Sequence, residues 1–373
     1  MGSDIIRVGI VGANPQQGWA STAHVPALTQ LPNFAITAVC TTRPESARMA
    51  ATAFGAAHAF TDARQLASHP EVDLVTVAVR TPAHLDPVLA ALEAGKHVYC
   101  EWPLARTTKE AEMMASAARD AGVTHAVGLQ ARYAPAVAYL RDLIAEGYIG
   151  QVTSVDVIAA RGKLADGQIA PSAVYTLDVD NGASTLEVAG GHTLDLLQHL
   201  VGEITDVTAT LARRRLRYTV TGTDRTVEAT APDHVLLSAT LADGAVASVH
   251  VYDGKVGTPR THIEINGTRG DLLLTSAGPG GPRGVQLGDL VLRAARVPGG
   301  DWETLEVPDR YRTVAAPIPV TAILSVAQLY HQLGEDIRTG ERRVPDLETG
   351  LRVHRLLDAI RLSADTGTRQ AVR

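Results

Sequence analysis

The chain has 373 residues, of which 20% are charged and 45% hydrophobic, so it is long enough for about two globular domains with substantial cores. Its formal net charge of −6 argues against a nucleic-acid binder that depends on phosphate contacts, and its two cysteines, Cys40 and Cys100, imply no disulfide framework. No apolar run is long enough to span a bilayer and the chain goes directly into a strand-like segment, so we expect a cytoplasmic protein with no membrane or direct nucleic-acid partner.

The first predicted element is a strand followed by a glycine loop and the start of a helix, written IIRVGIVGANPQQGWA over residues 5–20. Gly12 opens the loop and Gly18 closes it. Asn14 stands where the dinucleotide-binding pattern G-x-G-x-x-G has its second glycine, and the loop is one residue longer than that pattern. Because Trp19 begins a helix predicted at 19–31, the stretch favours a pyrophosphate site, although glycine loops also occur for packing reasons alone.

The first third of the chain alternates strands and helices with short connections. Strands are predicted at residues 34–41, 58–60, 73–79, 97–100 and 125–128, and helices at 44–54, 63–68, 82–94 and 108–121. This alternation predicts a doubly wound parallel sheet with right-handed crossovers, in which ligands bind at the carboxyl ends of the strands. Gly12, Thr41, Val79 and Glu101 fall at such ends.

The residues after the second predicted strand bear on which dinucleotide fits. A carboxylate there would bind the ribose hydroxyls of NAD and repel a 2′-phosphate. The chain instead has Thr41, Thr42 and Arg43, with no acidic residue before Glu45. Two hydroxyls and a guanidinium suit a phosphate dianion, so the sequence favours NADP over NAD, with a solvated loop arginine as the alternative.

Beyond a helix predicted at residues 135–146, longer strands of alternating polarity are joined by tight turns. Strands are predicted at 152–159, 204–211, 234–241, 246–252, 261–266 and 272–275, turns at 243–244 and 267–270, helices at 191–201, 322–338 and 347–364, and loops at 278–282 and 298–301. This pattern indicates a mainly antiparallel sheet. The predicted fold is therefore α/β, with a dinucleotide-binding Rossmann domain at 1–129 and a substrate and oligomerisation domain at 130–373.

Several segments together resemble the glucose–fructose oxidoreductase/inositol dehydrogenase (Gfo/Idh/MocA) family, and within it the branch of the fungal galactose-regulon repressor. Besides the glycine loop they are TPAHLDPVLAALEAGKHVYCEWPLARTTKEAEMMASAARDAG at 81–122, GLQARYAPAV at 128–137, LIAEGYIGQV at 143–152, GGHTLDLLQHL at 190–200 and INGTRGDL at 265–272. The resemblance implies a Rossmann domain and a second domain on a large open sheet. One face of that sheet would meet the nicotinamide, and the other commonly forms the interface of a homodimer or homotetramer.

The family usually has Glu-Lys-Pro where this chain has Glu101, Trp102 and Pro103. The resemblance implies that Glu101 and Pro103 contact the cofactor and that position 102 lines the reaction site. An ammonium group can stabilise an alkoxide, whereas an indole is a neutral donor that can only wall the pocket or stack on a ring. A cis bond before Pro103 is plausible because X–Pro bonds tolerate the cis form.

A second constellation lies in the helix predicted at 191–201. His192, Asp195 and His199 are spaced i, i+3 and i+7, which places them on one helix face. The resemblance assigns Asp195 and His199 to the substrate site, with the histidine exchanging the hydroxyl proton and Asp195 orienting it or holding its charge. A buried histidine satisfied by a neighbour and a His/Asp/His metal site are the competing interpretations.

Other single residues complete the predicted site, each with an ordinary structural role as its alternative. The cofactor contacts would include Thr81, His84 and Gln130. The substrate contacts would include Arg132, Tyr133, Lys163 and His192, and Lys163 would replace the missing cation. No metal ligand set is predicted.

These observations predict an NADP(H)-dependent oxidoreductase that acts on a sugar, polyol or related hydroxy compound. His199 would be the general acid or base, Asp195 its partner and Trp102 a wall of the pocket. The alternative is a dinucleotide-binding or sugar-binding regulator without turnover, favoured by the loss of the lysine at position 102.

Overall fold

The computed structural model describes residues 5–276, 284–287, 289–296, 299–315, 317–319 and 321–372. It divides into two compact units, Met1–Gln130 with Arg312–Arg352, and Ala131–Tyr311 with Val353–Arg373. The predicted boundary after residue 129 lies next to this division, but residues 312–352 cluster with the first unit rather than the second. The loop predicted at 278–282 and the start of the loop predicted at 298–301 lie outside the described residues.

The first unit contains a six-stranded parallel sheet. Its strands are β1 Ile6–Val11, β2 Phe34–Cys40, β3 His58–Phe60, β4 Leu74–Val77, β5 His97–Glu101 and β6 His125–Gly128. They lie in the order β3-β2-β1-β4-β5-β6. The order reverses between β1 and β4, so the carboxyl ends of these two strands flank the crevice where doubly wound sheets bind ligands. The predicted Rossmann sheet is confirmed.

The α-helices of both units follow largely where their periodicity and caps predict them. They are α1 Val25–Leu28, α2 Pro44–Phe54, α3 Ala63–Ala67, α4 Leu85–Glu93, α5 Thr108–Ala121, α6 Pro135–Ala145, α7 Gly191–Val201, α8 Ala322–Thr339 and α9 Leu347–Thr366. The helix predicted at 19–31 differs, because it opens as a π-helix over Ala20–His24 before α1 begins. The N–H of Val25 bonds to Ala20 O, and the adjacent Pro26 has no N–H with which to continue a regular α-helical ladder.

The second unit is built on a nine-stranded sheet. Its strands are β7 Val152–Ala160, β9 Ile204–Ala212, β12 His234–Leu241, β13 Val246–Tyr252, β14 Arg260–Gly267, β15 Gly270–Ser276, β16 Leu290–Ala295, β17 Glu303–Leu305 and β18 Gln370–Ala371. The order is β17-β16-β15-β14-β7-β13-β12-β9-β18, and every pair is antiparallel except β7 with β13. The predicted large, mainly antiparallel sheet is confirmed.

The sequence did not predict the small sheet that accompanies it. Strands β8 Gln168–Ile169, β10 Arg217–Val220 and β11 Thr226–Glu228 lie in the order β11-β10-β8. Buried side chains from this region form an apolar cluster of their own, which includes Leu177 and Tyr218. Among the described helices of both units, none is long and apolar enough to cross a membrane.

Candidate functional site

The glycine loop after β1 has the backbone geometry that its sequence demands. Gly12 has a φ of +95°, and a Cβ atom there would lie 2.8 Å from the Ala78 carbonyl and the Val79 nitrogen. Gly18 has a φ of +100° and faces open space. Asn14 Oδ1 accepts a hydrogen bond from Gln16 N at 2.9 Å, which braces the loop from within. The loop therefore requires glycine at position 12, next to the end of β4, and is open to solvent at Gly18.

The end of β2 presents one cation to solvent. The Thr41 hydroxyl is used locally, because it lies 2.6 Å from Ser46 Oγ and bonds to the Arg43 carbonyl oxygen at 3.1 Å. Thr42 and Arg43 are exposed, and Arg43 immediately precedes α2. The guanidinium of Arg43 makes no hydrogen bond or ion pair with the part of the chain that the structure describes, so it can reach an added phosphate.

His84 is a buried side chain that hydrogen-bonds to the loops after β4 and β5. Its side chain is buried, with Nε2 3.0 Å from Val79 O and Nδ1 3.2 Å from Leu104 O and 3.4 Å from the Cys100 thiol. Burial lowers the pKa of His84, and a neutral ring has one N–H: if Nε2 donates to Val79 O after β4, Nδ1 can accept from the Cys100 thiol of β5. Thr81 is buried in the 3₁₀ turn just before it. The predicted cofactor contact by His84 would therefore cost one of these bonds.

The Glu-Trp-Pro segment closes the end of β5. The bond between Trp102 and Pro103 is cis, and Trp102 is only 5% exposed. Glu101 is buried, with Oε1 3.0 Å from His24 Nε2 but not aligned for a hydrogen bond. A Cβ atom at Gly128 would lie 2.7 Å from that oxygen, so the glycine leaves room for the carboxylate.

Several buried polar atoms of the first unit have no aligned hydrogen-bond partner among the described residues. They include Trp19 Nε1 and Gln130 Oε1, and also His24 Nε2 and Glu101 Oε1, which lie 3.0 Å from each other. Buried polar atoms are normally satisfied, so each indicates a place where a bound polar molecule completes the site. Together with the glycine loop, they fit a dinucleotide that offers hydroxyl, amide and phosphate groups.

Helix α7 carries the predicted second constellation, but its central carboxylate has another partner than expected. Asp195 is 1% exposed, and its Oδ2 and Oδ1 accept hydrogen bonds from Arg132 Nε at 2.9 Å and Arg132 Nη2 at 2.5 Å. Arg132 therefore holds this carboxylate, whose two oxygens match the fork of a guanidinium, and the role of Asp195 toward His199 stays a prediction. Tyr133 follows Arg132, half-buried at the end of the same 3₁₀ turn.

His199 lies half-buried one helical turn beyond Asp195. Burial lowers the pKa of His199 to about 3, and the charges of Arg132 and Arg141 add to the effect. The imidazole is therefore neutral at physiological pH. It can accept a proton or share a hydrogen bond, but the free protein holds no imidazolium there to act as an acid.

The first turn of α7 carries His192, whose Nδ1 is buried and has no partner among the residues described. Burial, reinforced by the nearby Arg161 charge, lowers the pKa of His192 to about 3. Arg161 is held by Asp253 through two bonds of 2.7 and 2.6 Å, and the Thr185 hydroxyl donates to the same carboxylate at 2.5 Å. The sequence did not identify Arg161 or Asp253.

Lys163 lies two residues beyond Arg161, with Nζ 3.4 Å from the Thr176 hydroxyl oxygen. Although Lys163 reaches solvent, crowding of its ammonium by protein atoms and the Arg161 charge lower the pKa of Lys163 to about 8. The next residue, Leu164, has a φ of +70°, an uncommon conformation for a branched side chain. The Lys163 ammonium is thus a titratable cation in a sharply turned loop.

A metal site on the α7 face would have to displace Arg132 from Asp195. Elsewhere in the described residues, His58, His69 and Glu71 offer ligand atoms within 4.8 Å of one another. His58 Nε2 and Glu71 Oε2 are already paired at 2.5 Å. These residues lie at the amino ends of β3 and β4, away from the edge where the glycine loop lies.

Comparisons with known proteins agree with this geometry. Residues 6–129 match the family model for the oxidoreductase family with an NAD-binding Rossmann fold, and residues 135–276 match the model for the Gal80p C-terminal domain. The chain is 30% identical over 289 residues to levoglucosan dehydrogenase of Pseudarthrobacter phenanthrenivorans, which covers 72% of this chain and 73% of that protein. It is also 30% identical over 288 residues to the galactose/lactose metabolism regulatory protein GAL80 of Saccharomyces cerevisiae, covering 72% of this chain and 66% of that protein.

The likeness extends to solved structures. Levoglucosan dehydrogenase in complex with NADH and L-sorbose superposes with a TM-score of 0.87 at 26% identity, over 99% of both chains. The similar proteins thus include both a dehydrogenase and a regulatory protein.

Proposed function

Because the chain belongs to the Gfo/Idh/MocA oxidoreductase family, we propose that it transfers a hydride between NADP(H) and a sugar, polyol or related hydroxy or oxo compound. The observation that carries the proposal is the set of buried polar atoms without an aligned hydrogen bond, Trp19 Nε1, Glu101 Oε1 and Gln130 Oε1, at the sheet edge that also carries the glycine loop. A Rossmann unit that had lost its ligand would be expected to satisfy such atoms internally.

Within the first unit, we propose that the loop between Gly12 and Gly18 receives the pyrophosphate. Asn14 and Trp19 would line that loop, while Thr81, Gln130 and Pro103 would border the remainder of the dinucleotide. When bound, the nicotinamide accepts or supplies the hydride. His84 would act from behind, by fixing the backbone around Val79 and Leu104.

The proposal of NADP rests on the end of β2. Arg43 and Thr42 are solvent-exposed, and Glu45, the first acidic residue beyond them, lies within the first turn of α2. A 2′-phosphate would find a guanidinium partner there and no adjacent carboxylate to repel it. The similar levoglucosan dehydrogenase was solved with NADH, so the two cofactors must be compared directly.

On the second unit, we propose that the substrate hydroxyl groups bind to the α7 face. His192 Nδ1 offers a buried polar contact for these groups, and the Arg132–Asp195 pair fixes the charges on the same helix face. His199 would accept the proton released when an alcohol is oxidised, which requires the bound substrate and dinucleotide to raise its pKa from about 3. Tyr133 would complete the substrate contacts.

The positive charge that a lysine at position 102 would supply must come from elsewhere. We propose that Arg132 or Lys163 supplies this positive charge. A guanidinium can stabilise an alkoxide but does not titrate, whereas Lys163, with a pKa of about 8, is mostly protonated at neutral pH and can also donate a proton to a reduced carbonyl.

The test has two steps. Fluorescence titration with NADPH and NADH measures dinucleotide binding, and a screen of sugars and polyols with NADP⁺, and of oxo-sugars with NADPH, measures turnover. We expect micromolar binding, tighter for NADPH, and turnover that His199→Ala abolishes. Failure of both dinucleotides to bind the wild-type protein would overturn the proposal.

A second candidate function is a dinucleotide-binding regulator without turnover. The specific observation in its favour is Trp102, which fills the family's lysine position with a buried indole, together with the similarity to GAL80. Tight binding with no turnover on any tested carbohydrate would support the regulator. Appearance of turnover in Trp102→Lys alone would show that the scaffold is competent and that the wild type has given up the reaction.

Two further predictions accompany the proposed function. A homodimer or homotetramer stays a prediction, and light scattering at several protein concentrations measures it. The cytoplasmic location also stays a prediction from the sequence, with which two unpaired, buried cysteines, Cys40 and Cys100, are compatible.

A further inference from the structure

A chain of buried polar groups runs through the core of the first unit and ends at Glu101. Thr76 Oγ1 lies 2.8 Å from the Tyr330 hydroxyl, which lies 2.8 Å from His24 Nδ1, and His24 Nε2 lies 3.0 Å from Glu101 Oε1. Thr76, Tyr330 and His24 are fully buried. The four residues come from β4, α8, the π-helix before α1, and β5, so tertiary packing alone brings them together.

One arrangement of protons satisfies the inner groups of this chain. If Thr76 donates to Tyr330 and Tyr330 donates to His24 Nδ1, the proton of a neutral imidazole is on Nε2, the nitrogen that lies 3.0 Å from Glu101 Oε1. Burial raises the pKa of Tyr330 well above its usual value, so its hydroxyl stays a donor. Successive bonds of this kind strengthen one another in a low-dielectric core.

A gain in folding stability alone does not account for this series of buried polar groups. Burying an imidazole beside a carboxylate carries a desolvation penalty, and well-packed apolar replacements are often equally stable or more so. The rings of Tyr99 and Phe34, which pack edge-on against His24 and Tyr330, show that this core accommodates aromatic side chains. The polar groups are therefore better explained by what they do to Glu101.

Two neighbours fix the position of the Glu101 carboxylate, but its hydrogen bonding is incomplete. His24 Nε2 lies within ion-pair distance of Oε1, and Gly128 removes the Cβ atom that would fall 2.7 Å from the same oxygen. Oε1 nevertheless has no hydrogen-bond partner in the described residues. The carboxylate thus has a fixed place and a free acceptor site at the carboxyl edge of the sheet, where ligands of doubly wound sheets bind.

We propose that His24 is a positioning residue for the cofactor, which holds the Glu101 carboxylate so that Oε1 accepts a hydrogen bond from a hydroxyl or amide N–H of the dinucleotide. Tyr330 fixes the His24 ring from behind, and Thr76 completes the hydrogen bonds of the Tyr330 hydroxyl without contacting the ring. The inference rests on the proposed binding of a dinucleotide, and it assigns a role to three residues that the sequence did not single out.

The test is a double-mutant cycle on cofactor affinity. Dissociation constants for NADPH and NADH are measured by fluorescence titration for the wild type, His24→Met, Glu101→Gln and the double variant, all as full-length protein. If His24 acts through Glu101, His24→Met weakens binding about tenfold in the wild-type background and has almost no further effect in the Glu101→Gln background.

Two more variants separate positioning from folding. Thr76→Val breaks the far end of the chain with little change of shape, and we expect lower resistance to urea but an unchanged dissociation constant. His24→Gln keeps an N–H donor beside Glu101 and should recover most of the affinity lost in His24→Met. It also serves as the informative variant if His24→Met does not fold.

The outcomes separate dinucleotide binding from the positioning role of His24. If neither dinucleotide binds the wild type, the proposed function fails and this inference with it. If the wild type binds but the effects of His24→Met and Glu101→Gln simply add, or Thr76→Val weakens binding as much as His24→Met does, the cofactor site stands and the positioning role of His24 is overturned.

Discussion

Arg132 and Asp195 form a two-pronged ion pair, with the guanidinium Nε and Nη2 at 2.9 and 2.5 Å from the two carboxylate oxygens. The carboxylate is 1% exposed and the arginine side chain 20% exposed, so the pair is largely removed from water. This pairing decides the electrostatics of the α7 face. It binds the negative charge of Asp195 to a fixed cation, and burial, with the charges of Arg132 and Arg141, lowers the pKa of His199 so that its ring is neutral.

The first prediction concerns the stability that depends on this pair. Arg132→Met should lower the free energy of unfolding by about 3 kcal/mol, because the buried carboxylate loses its guanidinium. Replacing both residues, in Arg132→Met with Asp195→Leu, should restore most of that loss. Urea unfolding followed by circular dichroism gives these values.

Arg217→Met is the matched control, since Arg217 pairs with Glu228 where both side chains are more than 70% exposed. Its effect should stay below about 0.5 kcal/mol. Equal effects of the two arginine substitutions would show that Arg132 contributes no more than a surface charge does.

The second prediction is a pH dependence of stability from His192 and His199. Both have a folded-state pKa of about 3, far below the value of about 6.5 expected in the unfolded chain. Between these values the unfolded state binds more protons, so the free energy of unfolding falls as pH drops below about 6.5 and is insensitive to these groups above it. Each histidine should contribute up to about 1.4 kcal/mol per pH unit within that window.

The measurement compares urea unfolding of the wild type with His192→Gln and His199→Gln between pH 5 and pH 8.5. Above pH 7 the three profiles should run parallel, because neither histidine changes its charge there. Below pH 6 each variant should lose less stability than the wild type. Profiles that stay parallel down to pH 5 would contradict the buried, neutral state of the substituted histidine.

Much of the fold could be predicted because its strands and helices obey simple periodicities. The bounds of β12 and β13 coincide with the predicted 234–241 and 246–252, since alternating burial marks a strand with one covered face. The small β11-β10-β8 sheet was missed because its strands have two to four residues and because β8 pairs with β10 about 50 residues away, as Gln168 does with Thr219. No local pattern records such a pairing.

In the candidate site, too, local patterns could be predicted and long-range contacts could not. The helical period placed His192, Asp195 and His199 on one face, but it could not show that Arg132, 63 residues before Asp195, takes the carboxylate. Arg161 and Asp253 became recognisable only when β7 and β13 proved to be parallel neighbours, because each residue directly follows one of these strands. Partner choice is a property of tertiary packing, which spacing in the sequence does not contain.

The third prediction concerns Gly12. In Gly12→Ala the new Cβ atom would lie 2.8 Å from the backbone at Ala78 and Val79 and would adopt an unfavourable φ of +95°. We expect a loss of about 2 kcal/mol or more in stability and at least a tenfold weaker binding of NADPH.

Gly55→Ala provides the control, because Gly55 also has a positive φ, +70°, but meets nothing within 4 Å. That variant should lose about 1 kcal/mol and bind NADPH as the wild type does. Thermal unfolding and NADPH titration of both variants measure the difference. Unchanged NADPH affinity in a folded Gly12→Ala protein would mean that the loop does not receive the dinucleotide.

The fourth prediction concerns the choice between NADP and NAD. If Arg43 pairs with a 2′-phosphate, Arg43→Ala should weaken NADPH binding by about 10-fold to 100-fold, the value of a charge-assisted contact of about 1.5–3 kcal/mol. The NADH affinity should change less than about threefold, because NADH has no phosphate at that position. Arg48→Ala, on the exposed face of α2, is the control for a general loss of positive charge.

The reverse substitution sharpens this test. Arg43→Asp places a carboxylate after β2, which can accept hydrogen bonds from ribose hydroxyls and repels the phosphate, so the preference should invert toward NADH. The selectivity ratio of the two dissociation constants is the quantity to compare, since it cancels any common effect of the substitution on folding. If Arg43→Ala weakens both dinucleotides equally, or if the wild type already prefers NADH, the exposed guanidinium is a solvated surface group and the protein uses NAD.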